Sequence, residues 1–226
     1  MFTLNCVSTT QTPLPGPEAA LIGLVALVVV IAQVLWPLAE HFNVMAHEGM
    51  HAITAAIVGF TVLGIELNSS AEGETRYPPN AVGPRRVVTS FVGYLGPSAF
   101  GLGAAKLITL GYIIAVLWVA VIFLALLLLN LAFPSFGCLS VPVAIAVLYL
   151  LIRYASVGLE VVMTYGMTWL LLLSGVRVAL QHGASAGDAY NLSRRTHLPR
   201  VLWALLWLAG TFGAVFISVR LLVLRA

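Results

Sequence analysis

Charge is what this sequence has least of. Only 8 % of its 226 residues are Asp, Glu, Lys or Arg, and Asp188 and Lys106 are the sole members of their types. Soluble domains carry about 25 % charged residues, and a chain this poor in them cannot clothe a soluble surface. Apolar residues reach 61 %, and mean hydropathy is +1.03. The basic residues form no dense run, which excludes a nucleic-acid surface, and the formal charge of +3 reflects a bias among loops. Cysteine is scarce as well. Cys6 and Cys138 lie far apart and match neither a disulfide framework nor a zinc ribbon. Residues 1–18 contain no Lys or Arg, and Pro13, Pro15 and Pro17 break any helix there. That stretch does not read as a secretory signal. The expectation is an extramembrane segment, 1–18, followed by one membrane-embedded domain, 19–226.

Long hydrophobic runs are what remains. Six strong spans are expected, at approximately 19–38, 86–109, 112–132, 139–157, 159–180 and 200–222. The segment 42–60 is apolar enough to form a seventh. Alternatively, it continues the first helix past a bend at Pro37, which fixes φ and removes a donor. The fold class expected is therefore an all-α polytopic membrane protein of six or seven transmembrane helices.

The most specific motif is His47-Glu48-Gly49-Met50-His51, an HExxH pentapeptide. On a helix, residues i and i+4 share a face, so both imidazoles can address one ion. Zn²⁺ favours imidazole nitrogens and tetrahedral geometry. Glu48 sits where it can take a proton from a water activated by the metal. Chance gives such a match in roughly 0.3 % of chains of this composition, and context must still agree. The bland reading is a helix that happens to carry two histidines near the membrane surface. Ionisable groups near lipid are costly without partners, and three within five residues call for a shared cation.

Residues 61–67 alternate and are rich in β-branched types. Asn68 to Gly73 reads as a turn, and residues 74–77 can return as a second strand before Pro78-Pro79. A small β-hairpin is expected directly after the motif helix. It is either a plain connection or an edge strand that pairs with an extended peptide.

Arginine placement gives a topology. With the 61–86 loop inside, seven Arg are cytoplasmic and four Lys or Arg are outside. The motif and the 181–199 loop then share the cytoplasmic side of a multi-pass integral membrane protein, in what is expected to be a bacterial cell membrane. A catalytic zinc wants three protein ligands and one open position. Asp188 lies in that loop and is the leading third candidate, with N-capping of a short helix as its alternative role. His182 and His197 are in the same loop. Glu160 belongs to the opposite side, about 30 Å of hydrocarbon away.

These residues resemble the site-2-type intramembrane zinc metalloproteases, and most closely their compact bacterial and fungal branch. The resemblance rests on His47-Glu-Gly-Met-His-Ala52, Gly73-Glu-Thr75, Gly93-Tyr-Leu-Gly-Pro-Ser98 and Gly187-Asp-Ala189 with Leu192, Thr196 and Leu198-Pro199. It implies Zn²⁺ on His47 and His51, Glu48 as base, and hydrolysis of peptide bonds in or beside the bilayer. The main site-2 family draws its third ligand from an Asp-Gly pair, which this chain lacks. Asp188 stands at the compact branch's corresponding Asp-Ala position.

The function expected is a zinc metalloendopeptidase whose partners are the lipid bilayer and a transmembrane protein or peptide substrate. His47, His51 and Asp188 hold the metal, and Glu48 activates a zinc-bound water. The rival is a non-catalytic metal-binding scaffold, a pseudoprotease. Glu48 separates the two, because a zinc clip needs no carboxylate beside its ligands.

Overall fold

The structure, a computed structural model, describes residues 10–185 and 187–224. The first nine residues, including Cys6, lie outside it, and so does part of the expected extramembrane segment. The chain is mostly helical. Helices α1 (Gly16–Ile31) and α2 (Trp36–Val58) lead into a hairpin of β1 (Gly64–Leu67) and β2 (Gly73–Arg76). Seven helices follow: α3 (Pro84–Gly93), α4 (Gly96–Thr109), α5 (Ile113–Leu128), α6 (Gly137–Tyr154), α7 (Val157–His182), α8 (Gly187–Thr196) and α9 (Arg200–Leu222).

Among the described residues, α6, α7 and α9 are long and apolar enough to cross a bilayer. Helices α3 and α4 qualify only as a pair, bent by 66° at the break between them. That gives three to four candidate spans where hydropathy along the sequence predicts six or seven. The difference has a physical cause. Helices α1 and α5 hold 16 residues each, and at 1.5 Å per residue they rise about 24 Å, short of a hydrocarbon core of about 30 Å. Helix α2 interrupts its apolar residues with Glu40, His41, Asn43, His47, Glu48 and His51.

Local sequence explains the boundaries. Pro37 occupies the first turn of α2, where its missing N–H costs nothing. Gly59 ends that helix with φ of 81°, a left-handed cap that favours glycine. The Gly96-Pro97 start of α4 marks the bend after α3. Ser156 caps α7 by accepting from Leu159 N–H.

Helix α7 is the central post. Its Tyr165, Trp169 and Leu172 are buried against Ala19 and Ala26 of α1, Ala105 and Ile108 of α4, and Ala214 of α9. Helix α2 is fixed to it by Asn43 Nδ2 donating to Ser174 Oγ at 2.8 Å. The short α8 is held by Ala189 and Leu192, both fully buried beside Tyr94 and Trp207. Asp188 therefore rides on an anchored helix turn.

The hairpin forms where the sequence places it. It is antiparallel, with Ile65 opposite Thr75 and Leu67 opposite Gly73. Asn68 Oδ1 closes the turn by accepting from the N–H groups of Ser70 and Glu72. Ile65 spends its N–H and C=O on the other side, with Asn130 O and Ala132 N. Ile65 and Thr75 are therefore a non-hydrogen-bonded pair, and the backbone groups of Gly73 and Thr75 face away from β1. Among the described residues, no strand pairs with that edge. Asn130, by contrast, lies just past the end of α5 and turns its side-chain amide to Leu126 O of that helix.

Candidate metal centre

His47 and His51 stand one turn apart on α2, as their spacing requires. Their Nε2 atoms are 3.0 Å apart. Asp188 Oδ2 lies 3.0 Å from His51 Nε2 and 3.3 Å from His47 Nε2. Tetrahedral zinc with bonds of about 2.0–2.1 Å has ligand–ligand edges of roughly 3.3 Å. The three atoms thus trace one face of such a tetrahedron, and among the described residues they form a group that could hold a metal ion.

Hydrogen-bond chemistry supports the same fit. His51 Nδ1 lies 2.8 Å from Thr89 O. A carbonyl only accepts, so Nδ1 carries the hydrogen and donates. The neutral ring then presents a bare lone pair at Nε2, facing a second imidazole and a carboxylate. Metal-bound histidines are oriented by this kind of backbone partner. A cation, or failing that a proton, must sit among these acceptors.

Electrostatics agree in sign. Burial alone would lower the His51 pKa, but the Asp188 and Glu48 carboxylates and the Thr89 carbonyl outweigh it and raise it to about 9. Burial alone would raise Asp188, yet the two imidazoles hold its carboxyl well below the usual carboxylate range. The group most prone to be protonated is the one a metal would deprotonate.

Glu48 is buried but stands outside the triad, with Oε1 4.0 Å from His47 Nε2. Its other oxygen, Oε2, accepts from Thr75 Oγ1 at 2.6 Å. A chamber of about 740 Å³ opens over these groups, between α2, the hairpin and α8. Tyr77 and Arg86 line it, with the guanidinium 3.9 Å from the Tyr77 ring centre. Burial pushes the Tyr77 phenol up, and Arg86 only partly offsets this, so the hydroxyl keeps its proton.

Glycines let the elements approach. A Cβ on Gly93 would lie 2.3 Å from His51 Cε1, and one on Gly73 would lie 2.5 Å from Glu48 Cγ. Tyr94 meets the His47 ring edge-on at 4.8 Å and stacks on Trp207 at 4.2 Å.

The structure thus brings His47, Glu48, His51 and Asp188 together. His182 lines the chamber without joining the ligand group. His197 lies past the end of α8, outside the chamber lining. Glu160 begins α7, at the opposite end from His182. The contacts of Thr75 and Thr89 escape sequence reasoning, because neither has a spacing relative to the motif that any regular element would give.

No curated protein and no solved structure matches the chain. The sequence profile of the Peptidase M50B-like family matches residues 20–218, which include all four of these residues. The chain belongs to the Peptidase M50B-like family, within the site-2 proteases.

Proposed function

We propose that this protein is a zinc-dependent intramembrane endopeptidase that hydrolyses peptide bonds of membrane-protein substrates. One observation carries the reading. A buried carboxylate, Glu48, shares the chamber with a complete His-His-Asp ligand set and is not itself a ligand. A site that only stored metal would have no use for it.

Zinc held by His47, His51 and Asp188 would supply Lewis acidity and lower the pKa of a coordinated water towards about 7. The protein groups divide the rest. Glu48 Oε1 faces the ligand side and takes a proton from the attacking water. The same carboxyl group then delivers a proton to the leaving amine nitrogen. Tyr77 and Arg86 are donors along the chamber wall, and on this reading they would meet charge developing on the scissile carbonyl oxygen.

A membrane helix hides its carbonyls in internal hydrogen bonds and must unwind before attack. The free edge of β2 offers unpaired N–H and C=O groups to an extended segment. On another side of α2 lies an apolar cavity of about 410 Å³, lined by Phe42, Met45, Phe100, Phe123 and Met167 among others. It suits apolar side chains arriving from the bilayer. The chamber is proposed to face the cytoplasm, from the Arg asymmetry.

The test is Glu48→Gln. Zinc content by mass spectrometry should match the parent, and cleavage of a transmembrane reporter in liposomes should fall by at least about 10²-fold. Equal cleavage by both forms rejects Glu48 as base. Zinc binding with no Glu48-dependent cleavage supports the scaffold reading instead.

A further inference from the structure

We propose that Thr75 is the positioning residue for the Glu48 base, and that Gly73 keeps open the space the carboxylate occupies. This rests on the endopeptidase reading. The Thr75 hydroxyl is buried, and both acceptors within its reach belong to Glu48: Oε2 at 2.6 Å and the main-chain O at 3.4 Å. Residues 73 and 75 lie on one face of β2, since side chains alternate along a strand. A Cβ on Gly73 would fall 2.7 Å from Glu48 Oε1. One strand face thus forms both the anchor and the floor for this side chain.

The chemistry needs such an anchor. A glutamate has two equivalent oxygens and three rotatable bonds. Tying Oε2 to a hydroxyl leaves Oε1 as the only oxygen turned towards the ligands, 4.0 Å from His47 Nε2. Freed from Thr75, Glu48 could close that gap and would compete with water for a metal held by His47, His51 and Asp188. The same two residues present the free backbone edge of β2, so the strand available for peptide pairing also sets the base.

The experiment compares Thr75→Val, Thr75→Ser and Gly73→Ala with the parent and Glu48→Gln, using a fluorophore-labelled transmembrane reporter peptide in liposomes. Thr75→Val should keep its zinc, hold KM, and lose at least about tenfold in kcat. Thr75→Ser should restore the parent values, and Gly73→Ala should lower kcat with zinc retained. Should Val disturb folding, Thr75→Ala serves in its place. A readout free of turnover is the visible spectrum of the cobalt-substituted protein, which should change in Thr75→Val, where the freed Glu48 would reach the metal, and match the parent in Thr75→Ser. A parent-like kcat in Thr75→Val, or loss of zinc from it, overturns the proposal and leaves the endopeptidase reading standing. If the parent cleaves no better than Glu48→Gln, that reading fails. The cobalt spectrum then decides on Thr75 alone, with a parent-like spectrum in Thr75→Val overturning the anchor and a changed one, restored in Thr75→Ser, supporting it.

Discussion

Asp188 Oδ2 and His51 Nε2 stand 3.0 Å apart although 137 positions separate them in the chain. Nothing local creates that contact. It follows from α8 being docked through Ala189 and Leu192 while α2 is fixed to α7 through Asn43 and Ser174. The candidate ligand set is complete only when the helical body has assembled, so metal binding at it would be coupled to tertiary structure.

Purified protein should therefore carry one zinc per chain. The double variant His47→Ala, His51→Ala should carry none. Asp188→Ala should bind zinc more weakly by over about 100-fold, because even outer-shell partners of a metal site are worth about 10–100-fold. Competition with a chromophoric chelator measures both. Full zinc retention in the double variant rejects the site.

Much of this site was legible in the sequence, and the reason is periodicity. The i, i+4 histidines needed only a helix, which Pro37 and Gly59 delimit. The hairpin was legible because Asn68 to Gly73 is turn chemistry between alternating runs. Asp188 could be singled out as the lone aspartate in a loop on the motif's side, but its distance to the histidines could not. Thr75 and Thr89 were invisible, since a hydroxyl and a main-chain carbonyl carry no pattern at separations of 27 and 38 residues. The helix lengths do not bear out six or seven spans, because hydropathy sums apolar content without asking where a helix ends. Helices α1 and α5 stop after 16 residues.

The raised His51 pKa gives a pH dependence with a definite sign. In the metal-free protein, His51 titrates near 9 against 6.5 for an ordinary imidazole. Its stabilising contribution is full below about 6.5 and is lost as pH rises through about 9. Asp188 works in the opposite sense: its contribution holds above its ordinary value of 3.8 and is lost only as pH falls well below it. The metal-free unfolding midpoint should thus decline between pH 6.5 and 9. Zinc must displace the His51 proton, so its affinity should climb about tenfold per pH unit over the same interval. Calorimetry in buffers of different ionisation heat should find about one proton released per zinc near pH 7.5. Release of none contradicts the shared-proton site.

Gly93→Ala tests the close approach of α3 to the metal ligands. The added methyl would sit 2.3 Å from His51 Cε1 and 2.4 Å from Nε2. The ring must swing away, and its bond to Thr89 O goes with it. Zinc affinity should fall by at least about 10-fold, with helicity by circular dichroism unchanged. Gly103→Ala is the control, because its Cβ would meet nothing within 4 Å. Equal zinc affinities in the two variants would show that His51 does not need the space at Gly93.

The last prediction concerns sidedness. Ser70, in the hairpin turn, and Ser185, before α8, are both exposed and both line the chamber. They must share one side of the membrane, since Glu48 contacts β2 and the histidines contact α8. Single cysteines at these positions, with Cys6 and Cys138 replaced by Ser, should react alike with a membrane-impermeant maleimide. The proposed orientation puts that side in the cytoplasm, from the Arg bias: Arg85, Arg86, Arg194, Arg195 and Arg200 flank the chamber end of the helices while Lys106 and Arg220 lie at the other end. Both cysteines should therefore label in inverted vesicles and resist label in intact bacterial cells. Labelling of both in intact cells would reverse the orientation and leave the site intact. Labelling from opposite sides would separate Asp188 from the histidines and end the metal-site assignment.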